Sequence, residues 1–522
     1  MKYIEGSCYN ILMVVKAADF KKTKIIATIG PASEEKIEQL LKAGVNGVRL
    51  NFSHGTHAAH LRALRSARAA AKKLERSVAI IADTQGPKIQ VGKIASGGID
   101  IKAGQTLQFA HSLQTKSQDI IPVQYDFAHE VVKGQALYLR DGQIKCVIRQ
   151  IKSGVISAEA RNSGKLLSDQ GINLPDTHFK GSVITPKDRE DLKFALKYDC
   201  DYVAMSFIQS AKDIVEMRHL ITKTKSKAKI IAKIETKAAV VHMEEIVRAT
   251  DVVMIARGDL AVETSAEEVP IIGRELVMLC RKYKKPVIMA TQMLESMMKS
   301  IEPSRSDAND VATAVSLGVD CVMLSGETAI GEFPIETVQT MKRIILRSEK
   351  YFVNTAIPLE LELDQDEDTI AAELDEPTST LERMASKTKL VFTRSSEGAG
   401  KISSEIAQRS ISLAAITLSE QLRAKLIIAE TLSGSTALSI ASLRPSAPII
   451  IASPDEKVCN QMALLWGGKP FLVRNKRESY DAVVKSMKVR GAIAKGDFVV
   501  SAYGKNRGVA GGTDTVRLYE VG

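Results

Sequence analysis

Eight short apolar runs, each breaking off into polar or glycine residues, recur along the first two-thirds of this chain. They are Lys24 to Gly30, Gly47 to Ser53, Val78 to Thr84, Tyr202 to Phe207, Lys229 to Glu235, Val252 to Asp259, Pro286 to Gln292 and Asp320 to Glu327. Between most of them lie stretches with helical periodicity, among them Glu34 to Ala43, His57 to Leu74, Lys187 to Tyr198, Ala211 to Lys223, Glu268 to Tyr283 and Ala308 to Leu317, and a last one runs from Ile335 to Tyr351. A strand that is apolar on both faces has to be covered on both, which calls for a parallel sheet wrapped in helices. Eight strand and helix repeats close a (β/α)8 barrel, so the expected fold class is α/β with a TIM barrel; an open doubly wound sheet is the alternative.

The spacing of the runs sets the domain plan. Six of the seven intervals are about 20 to 35 residues, whereas about 120 separate Val78 from Tyr202, so something is inserted after the third strand. Residues 87–181 read as short alternating strands with glycine turns, such as Ile99 to Ile101, Thr106 to Ala110, Ala136 to Leu139, Ile144 to Ile151 and Val155 to Ala160. This predicts a small β-barrel-like domain placed as a lid over the barrel mouth. The barrel then comprises residues 21–86 and 182–352. Acidic residues crowd Glu360 to Glu376, and residues 353–400 read as a solvated acidic linker. Strand and helix alternation resumes over 401–522, too short for a second barrel, and predicts an open C-terminal α/β domain. Residues 1–20 read as an N-terminal extension, with Met1 and Met13 both available as starts.

Composition narrows the class of function. With 45% apolar and 25% charged residues, neither a disordered chain nor a membrane protein fits. The net charge of +11 suits small anions such as phosphorylated metabolites; aromatics are only 5% and no basic run is interleaved with stacking residues, which argues against nucleic acid. The six cysteines are scattered without a CxxC pair, as expected of free thiols in a reducing cytoplasm. The apolar run Ile11 to Val15 is too brief for a signal-peptide core or a membrane span.

Most of the strands end in reactive or ion-binding side chains: Arg49, Asn51 and Ser53; Asp83 and Thr84; Lys233 and Glu235; Asp259; Thr291 and Gln292; Ser325 and Glu327. The C-terminal strand ends are where barrel enzymes carry their active sites. Glu235 and Asp259, on adjacent strands, offer hard oxygen ligands for Mg²⁺, the plainer reading of either one alone being a salt bridge to Lys or Arg. Lys233 lies two residues before Glu235 and so shares its face, suited to clamping a phosphoryl group in transfer. His54, His57 and His60 are spaced by three as a zinc pair requires, yet directly after RLNFS they read as polar groups at a helix start.

The runs ATIGP (Ala27 to Pro31), RLNFSHG (Arg49 to Gly55), DTQGPKI (Asp83 to Ile89), AKIET (Ala232 to Thr236), ARGDLAVE (Ala256 to Glu263), ATQMLESM (Ala290 to Met297), PSRSDANDVA (Pro303 to Ala312) and MLSGETAIGEFP (Met323 to Pro334) resemble pyruvate kinase, in order and at family-like spacing. The likeness covers essentially all of residues 21–350 and, more weakly, the chain from about Lys401. It implies transfer of the phosphoryl group of phosphoenolpyruvate to ADP, giving ATP and pyruvate, the last step of glycolysis, in a homotetramer. By the same resemblance Glu235 and Asp259 hold Mg²⁺ (or Mn²⁺), while Lys233 and Arg49 grip the phosphoryl group from two sides. Thr291 positions a proton for the enolate, and Ala256, Gly258 and Asp259 meet the substrate carboxylate. Asn51, His54 and Asp141 face the nucleotide, although an Asp-Gly such as Asp141 in LRDGQI is also an ordinary hairpin turn. TLSGST, with Thr431, Ser433, Gly434, Ser435 and Thr436, resembles the family's effector phosphate loop; a simple Ser/Thr helix cap is the plainer reading.

Departures from the family pattern carry their own expectations. Strand three commonly reads D-T-K-G-P-E-I-R in potassium-dependent members, whereas this chain has Gln85, Lys88 and Gln90. The ammonium of Lys88 in place of a glutamate supplies the charge that K⁺ otherwise provides, so activity without K⁺ is expected, while Asn51, Ser53, Asp83 and Thr84 still offer oxygens for a monovalent site. Gln90 lacks the charge-assisted fork of the usual arginine, which leaves ADP binding weaker or compensated elsewhere. Leu432 stands where a lysine is common, favouring a sugar phosphate or nucleotide monophosphate other than fructose 1,6-bisphosphate as effector. Two rival readings are a Mg²⁺-dependent lyase or aldolase acting on a pyruvate enolate, and a non-catalytic sugar-phosphate sensor. The first leaves Lys233 and the insert unexplained, and the second conflicts with the retention of Lys233, Glu235, Asp259 and Thr291.

Overall fold

The computed structural model describes residues 20–94, 97–111, 120–140, 142–177, 181–355, 404–473, 479–504 and 513–522. Residues 1–19, Asp141 and residues 356–403, which include most of the acidic linker and the stretch KLVFTR, lie outside the described residues. The chain divides into two compact units, one of residues 21–345 with 456–466 and one that includes residues 346–455 and 467–522. Among the described residues no helix is long and apolar enough to cross a membrane.

The eight apolar runs form a closed parallel barrel in which each strand pairs with its neighbours in sequence and the first with the eighth. The strands are Lys24–Thr28, Gly47–Asn51, Ala79–Asp83, Tyr202–Met205, Lys229–Ile234, Val252–Ala256, Val287–Ala290 and Cys321–Leu324. Their alternation sorts side chains between the helix layer and the barrel interior. Ile26, Ala79, Ile81, Tyr202, Ala204, Ile231, Val252, Met254, Ile288, Ala290, Cys321 and Met323 pack together as the interior core. Continuing the same parity upward, Ile81 leads to Asp83, Ala204 to Ser206 and Ile231 to Lys233. The polar groups are thus the last layer of a stack whose lower layers are apolar.

All eight strands stop one to three residues earlier than the sequence runs predict, and at the last three this moves site residues off the strands. Pairing between the sixth and seventh ends at Ala256 and Ala290, and with no further ladder to join, the chain turns. Asp259 therefore sits not on a strand but on the short helix Arg257–Glu263, Thr291 and Gln292 form a turn with positive φ, and Glu327 lies on the helix Gly326–Ala329.

The insert builds a seven-stranded sheet in the order Ile89–Gln90, Gly171–Asn173, Ala136–Leu139, Ile144–Lys152, Val155–Ala160, Thr106–His111 and Ile120–Val123, with a separate two-stranded sheet of Gly164–Leu166 and Ile99–Ile101. Its own core includes Phe109, Phe127, Leu137, Leu139 and Ile148. In the other unit, five strands run in the order Gly468–Leu472, Ile449–Ser453, Leu426–Glu430, Phe498–Tyr503 and Thr515–Glu520, all parallel but the last.

One segment departs from the expected domain plan. Residues 456–466, read from sequence as part of the C-terminal domain, group with the barrel and close its lower end. Leu464 enters the interior core, the buried Tyr202 hydroxyl donates to Gln461 O at 2.8 Å, and Cys321 Sγ donates to Leu464 O at 3.1 Å. Gly47 makes room for it, since a Cβ there would stand 2.8 Å from Leu464 Cδ2. The reason is burial: Leu464 is 1% exposed and its apolar surface is satisfied by the barrel floor. Leu464→Ala is expected to destabilise the barrel by about 2–5 kcal/mol, read by denaturant unfolding of the fluorescence of Trp466, the single tryptophan. Unchanged unfolding would show that this segment is no part of the barrel core.

Candidate active site

The upper layer of the barrel is a row of alternating charges. Arg49 on the second strand donates from Nε to Asp83 Oδ2 on the third at 2.6 Å, and from Nη1 to Thr28 Oγ1 at 3.0 Å. Lys233 Nζ lies 3.5 Å from Asp83 Oδ1 and 3.2 Å from Glu235 Oε2, and donates to Ser206 Oγ at 2.6 Å. Asp83 is 1% exposed and Glu235 is fully buried. Such charges persist only where each has a partner, and here two cations and two carboxylates interleave.

Burial and pairing pull the protonation states in different directions. For Lys233 burial works toward the neutral amine, but the Asp83 and Glu235 carboxylates outweigh it and raise the pKa. Asp83, likewise opposed by burial, is held below the usual carboxylate range by Lys233 and Arg49. Glu235 is pushed up to about 7, chiefly by burial, with Lys233 opposing and the nearby charge of Asp259 adding to the rise.

Glu235 is aimed by backbone geometry. The fourth strand ends at Met205, and Phe207 adopts φ 55°, a conformation a bulky residue rarely takes. The turn points the Phe207 N–H at Glu235 Oε1, 2.7 Å away. The other oxygen, Oε2, is buried with no hydrogen-bond partner and only the ion-pair approach of Lys233; Asp83 Oδ1 is also without one. A buried carboxylate oxygen left this way, facing the charge of Asp259, fits a hard cation.

The turn after the seventh strand is braced from the side. Thr291 and Gln292 have φ 63° and 53°, and Arg257 donates from Nη2 to their carbonyls at 2.7 and 2.8 Å and from Nη1 to Asp310 Oδ2 at 3.0 Å. Thr291 Oγ1 accepts from Gly258 N at 2.8 Å and donates to Ala290 O at 2.7 Å, so the Gly258 N–H is aimed at the hydroxyl oxygen while the O–H is aimed at the strand end. Ala256, buried, ends the strand beneath them.

The remaining residues singled out from sequence lie at different places. Asn51 Oδ1 accepts from Ser53 N, and Thr84 Oγ1 donates to Ala204 O, so both have partners of their own. His54 is exposed at the barrel rim; its pKa is lowered by partial desolvation and then by Lys88 and Arg49. His57 bonds Asp191 at 2.6 Å and His60 bonds His54 O at 2.9 Å, so these two rings have different partners. Among the described residues no group of three His, Cys, Asp or Glu side chains is arranged to hold a metal by itself. Lys88 lines a cavity of about 270 Å³ together with Phe207, Lys237, Asn173, Asp259 and Glu263. It is carried there by a turn at Gly86, whose φ of 68° and 2.9 Å approach of a Cβ to Ser206 O admit no side chain. Gln90 Nε2 donates to Asp169 O. In the other unit Gly434 N donates to Thr431 Oγ1 at 2.9 Å, Ser433 Oγ donates to Ser435 Oγ, and Thr436 Oγ1 shares a hydrogen bond with Thr513.

Sequence reasoning missed Ser206, Phe207, Arg257 and Glu263. Arg257 and Glu263 flank Gly258 and Asp259 inside the ARGDLAVE run, which was the available signal; nothing local marks Phe207.

Comparison with known proteins matches residues 20–338 to the pyruvate kinase barrel domain and residues 409–519 to the pyruvate kinase alpha/beta domain. The pyruvate kinase of Geobacillus stearothermophilus is 36% identical, covering 96% of this chain and 80% of that protein, and the one from Sporosarcina psychrophila is 35% identical, covering 96% and 81%. A solved pyruvate kinase from Cryptosporidium parvum superimposes with a TM-score of 0.81 at 30% identity, covering 96% of each chain. With both domains matched and the likeness running over almost the whole length, this chain belongs to the pyruvate kinase family and is a phosphotransferase.

Proposed function

We propose that this protein transfers the phosphoryl group of phosphoenolpyruvate to ADP, forming ATP and pyruvate, with a divalent cation, Mg²⁺ or Mn²⁺, and without need of K⁺. The observation that carries this reading is the buried row Arg49, Asp83, Lys233 and Glu235, with the second oxygen of Glu235 left without a hydrogen-bond donor. Glu235 and Asp259 would hold the cation, which supplies charge neutralisation at the phosphate and enolate oxygens. Lys233, kept protonated by its two carboxylates, brings a fixed positive charge to the phosphoryl group, and Arg49 provides a second one held in orientation by Asp83 and Thr28.

Thr291 would orient a water that protonates the enolate carbon, its hydroxyl fixed between Gly258 N and Ala290 O. Ala256, Gly258 and Asp259 would meet the substrate carboxylate. On the nucleotide side the reading assigns Asn51, His54 and Asp141. Lys88, in the cavity that Asp259 also lines, would replace the charge of K⁺. The loop Thr431 to Thr436 would take a phosphorylated effector, and assembly as a homotetramer in the cytoplasm is the corresponding expectation.

Lys233→Met is expected to cut turnover by about 100-fold or more, while Mn²⁺ binding, followed by electron paramagnetic resonance, persists. Near-normal turnover would remove Lys233 from its role. Pyruvate formation from phosphoenolpyruvate and ADP in K⁺-free buffer is expected to match that with K⁺ added, and Lys88→Glu should make the reaction depend on K⁺. Strong K⁺ activation of the unmodified protein would discard the charge-replacement role but keep the reaction. No turnover under either condition, even with sugar phosphates present, would favour the sensor reading.

A further inference from the structure

Glu263 is a buried carboxylate without an ion-pair partner among the described salt bridges, and the reaction as proposed gives it no task. It closes the helix Arg257–Glu263 four residues after Asp259, so the two carboxylates share one helix face. Glu263 is 9% exposed, and its Oε1 accepts from Asn173 Nδ2 at 3.2 Å; Asn173, also 9% exposed, ends the lid strand Gly171–Asn173. Lys237, the first residue of the helix that follows the strand carrying Lys233 and Glu235, lines the same cavity as Glu263 and Asn173. Three segments distant in sequence therefore meet around one cavity.

We infer that Glu263 is a positioning residue that straps the lid strand to the helix bearing Asp259. The strap reaches Lys88 as well. Gly171 and Ile172 pair with Gln90 and Ile89, so fixing Asn173 at the end of that ladder fixes the neighbouring strand just where Lys88 enters it. The lid also comes close alongside: a Cβ added at the lid residue Gly142 would stand 3.4 Å from Val262, one residue before Glu263. A carboxylate suits this place because it accepts from the Asn173 amide across the lid boundary, whereas a hydrophobic side chain would strand that amide away from water. Burial and the charge of Asp259 raise its pKa to about 7, a cost consistent with a task beyond packing.

This inference rests on the phosphotransfer reading for its kinetic readout but not for its structural one. In the metal-free protein, Glu263→Ala and Asn173→Ala are each expected to speed backbone hydrogen exchange both in residues 171–175 and in residues 257–263, with the melting temperature of the barrel held. Turnover with phosphoenolpyruvate and ADP should fall about 10- to 100-fold in each, more in kcat than in the KM for phosphoenolpyruvate. Glu263→Gln, which keeps an acceptor oxygen, should recover most of it. The double variant should be no worse than either single one. Exchange confined to one of the two segments, or additive losses, would overturn the strap; Asn173→Ala changes no residue of the Asp259 helix itself and decides the matter should Glu263→Ala not fold. An inactive unmodified protein would instead overturn the phosphotransfer reading, with the exchange result still testing the strap.

Discussion

The structure depends on holding an ammonium group among carboxylates in a nearly closed barrel mouth. Lys233 sits in the barrel mouth with its charge shared between Asp83 and Glu235 and its remaining hydrogen-bonding capacity directed at Ser206. Removing one member of such a buried set leaves an uncompensated charge at a cost of about 3–5 kcal/mol, so Arg49, Asp83, Lys233 and Glu235 are tied together in stability as well as in chemistry. The row is also deliberately incomplete, since one oxygen of Glu235 and one of Asp83 lack hydrogen-bond donors. A charge network satisfied everywhere would leave no acceptor for a cation; this one leaves two carboxylate oxygens without a hydrogen-bond donor.

Holding the row demands a rigid support, and the barrel supplies it from below. The apolar layers of Ile26, Ile81, Ile231 and Met254 rest on a floor closed by Leu464. That floor comes from a segment between two strands of the C-terminal sheet, Ile449–Ser453 and Gly468–Leu472. The side walls are set by backbone turns in sparsely populated conformations at Phe207, Thr291 and Gln292. Turns of this kind cost of order 1–3 kcal/mol each and persist only where surrounding contacts over-determine them. Arg257 makes such contacts for two of them, and the Phe207 N–H is repaid by a buried carboxylate.

What could be read from sequence follows a physical line. The eight strands were legible because each is a local run with burial on both faces, and Lys233 and Glu235 were legible as neighbours because a strand repeats every two residues. Asp259 was placed one element too early, since where a strand ends is decided by whether its neighbours still pair, which the run Val252 to Asp259 does not contain. Phe207 was invisible because positive φ in a non-glycine residue is imposed by a partner 28 positions away. The barrel floor was assigned to the wrong body for the same reason: residues 456–466 carry a helical pattern that says only that one face is buried, not against what.

The contrast between Lys88 and Gln90 shows how such distant constraints shape chemistry. Gln90 lies on the strand Ile89–Gln90 that enters the lid and Lys88 immediately precedes it; Lys88 lines the cavity shared with Asp259 while the amide of Gln90 is spent on the carbonyl of Asp169. A cation held beside the carboxylates proposed to bind metal would serve the reaction only if its distance from them is fixed. Lys88 is fixed at one end by the glycine turn pressed against Ser206 and at the other by the ladder to Gly171 and Ile172. Ser206 is the same residue that receives the hydrogen bond of Lys233. The two ammonium groups are therefore tied to one backbone segment, through which a change in the lid strand would reach Lys233 without any direct contact between them.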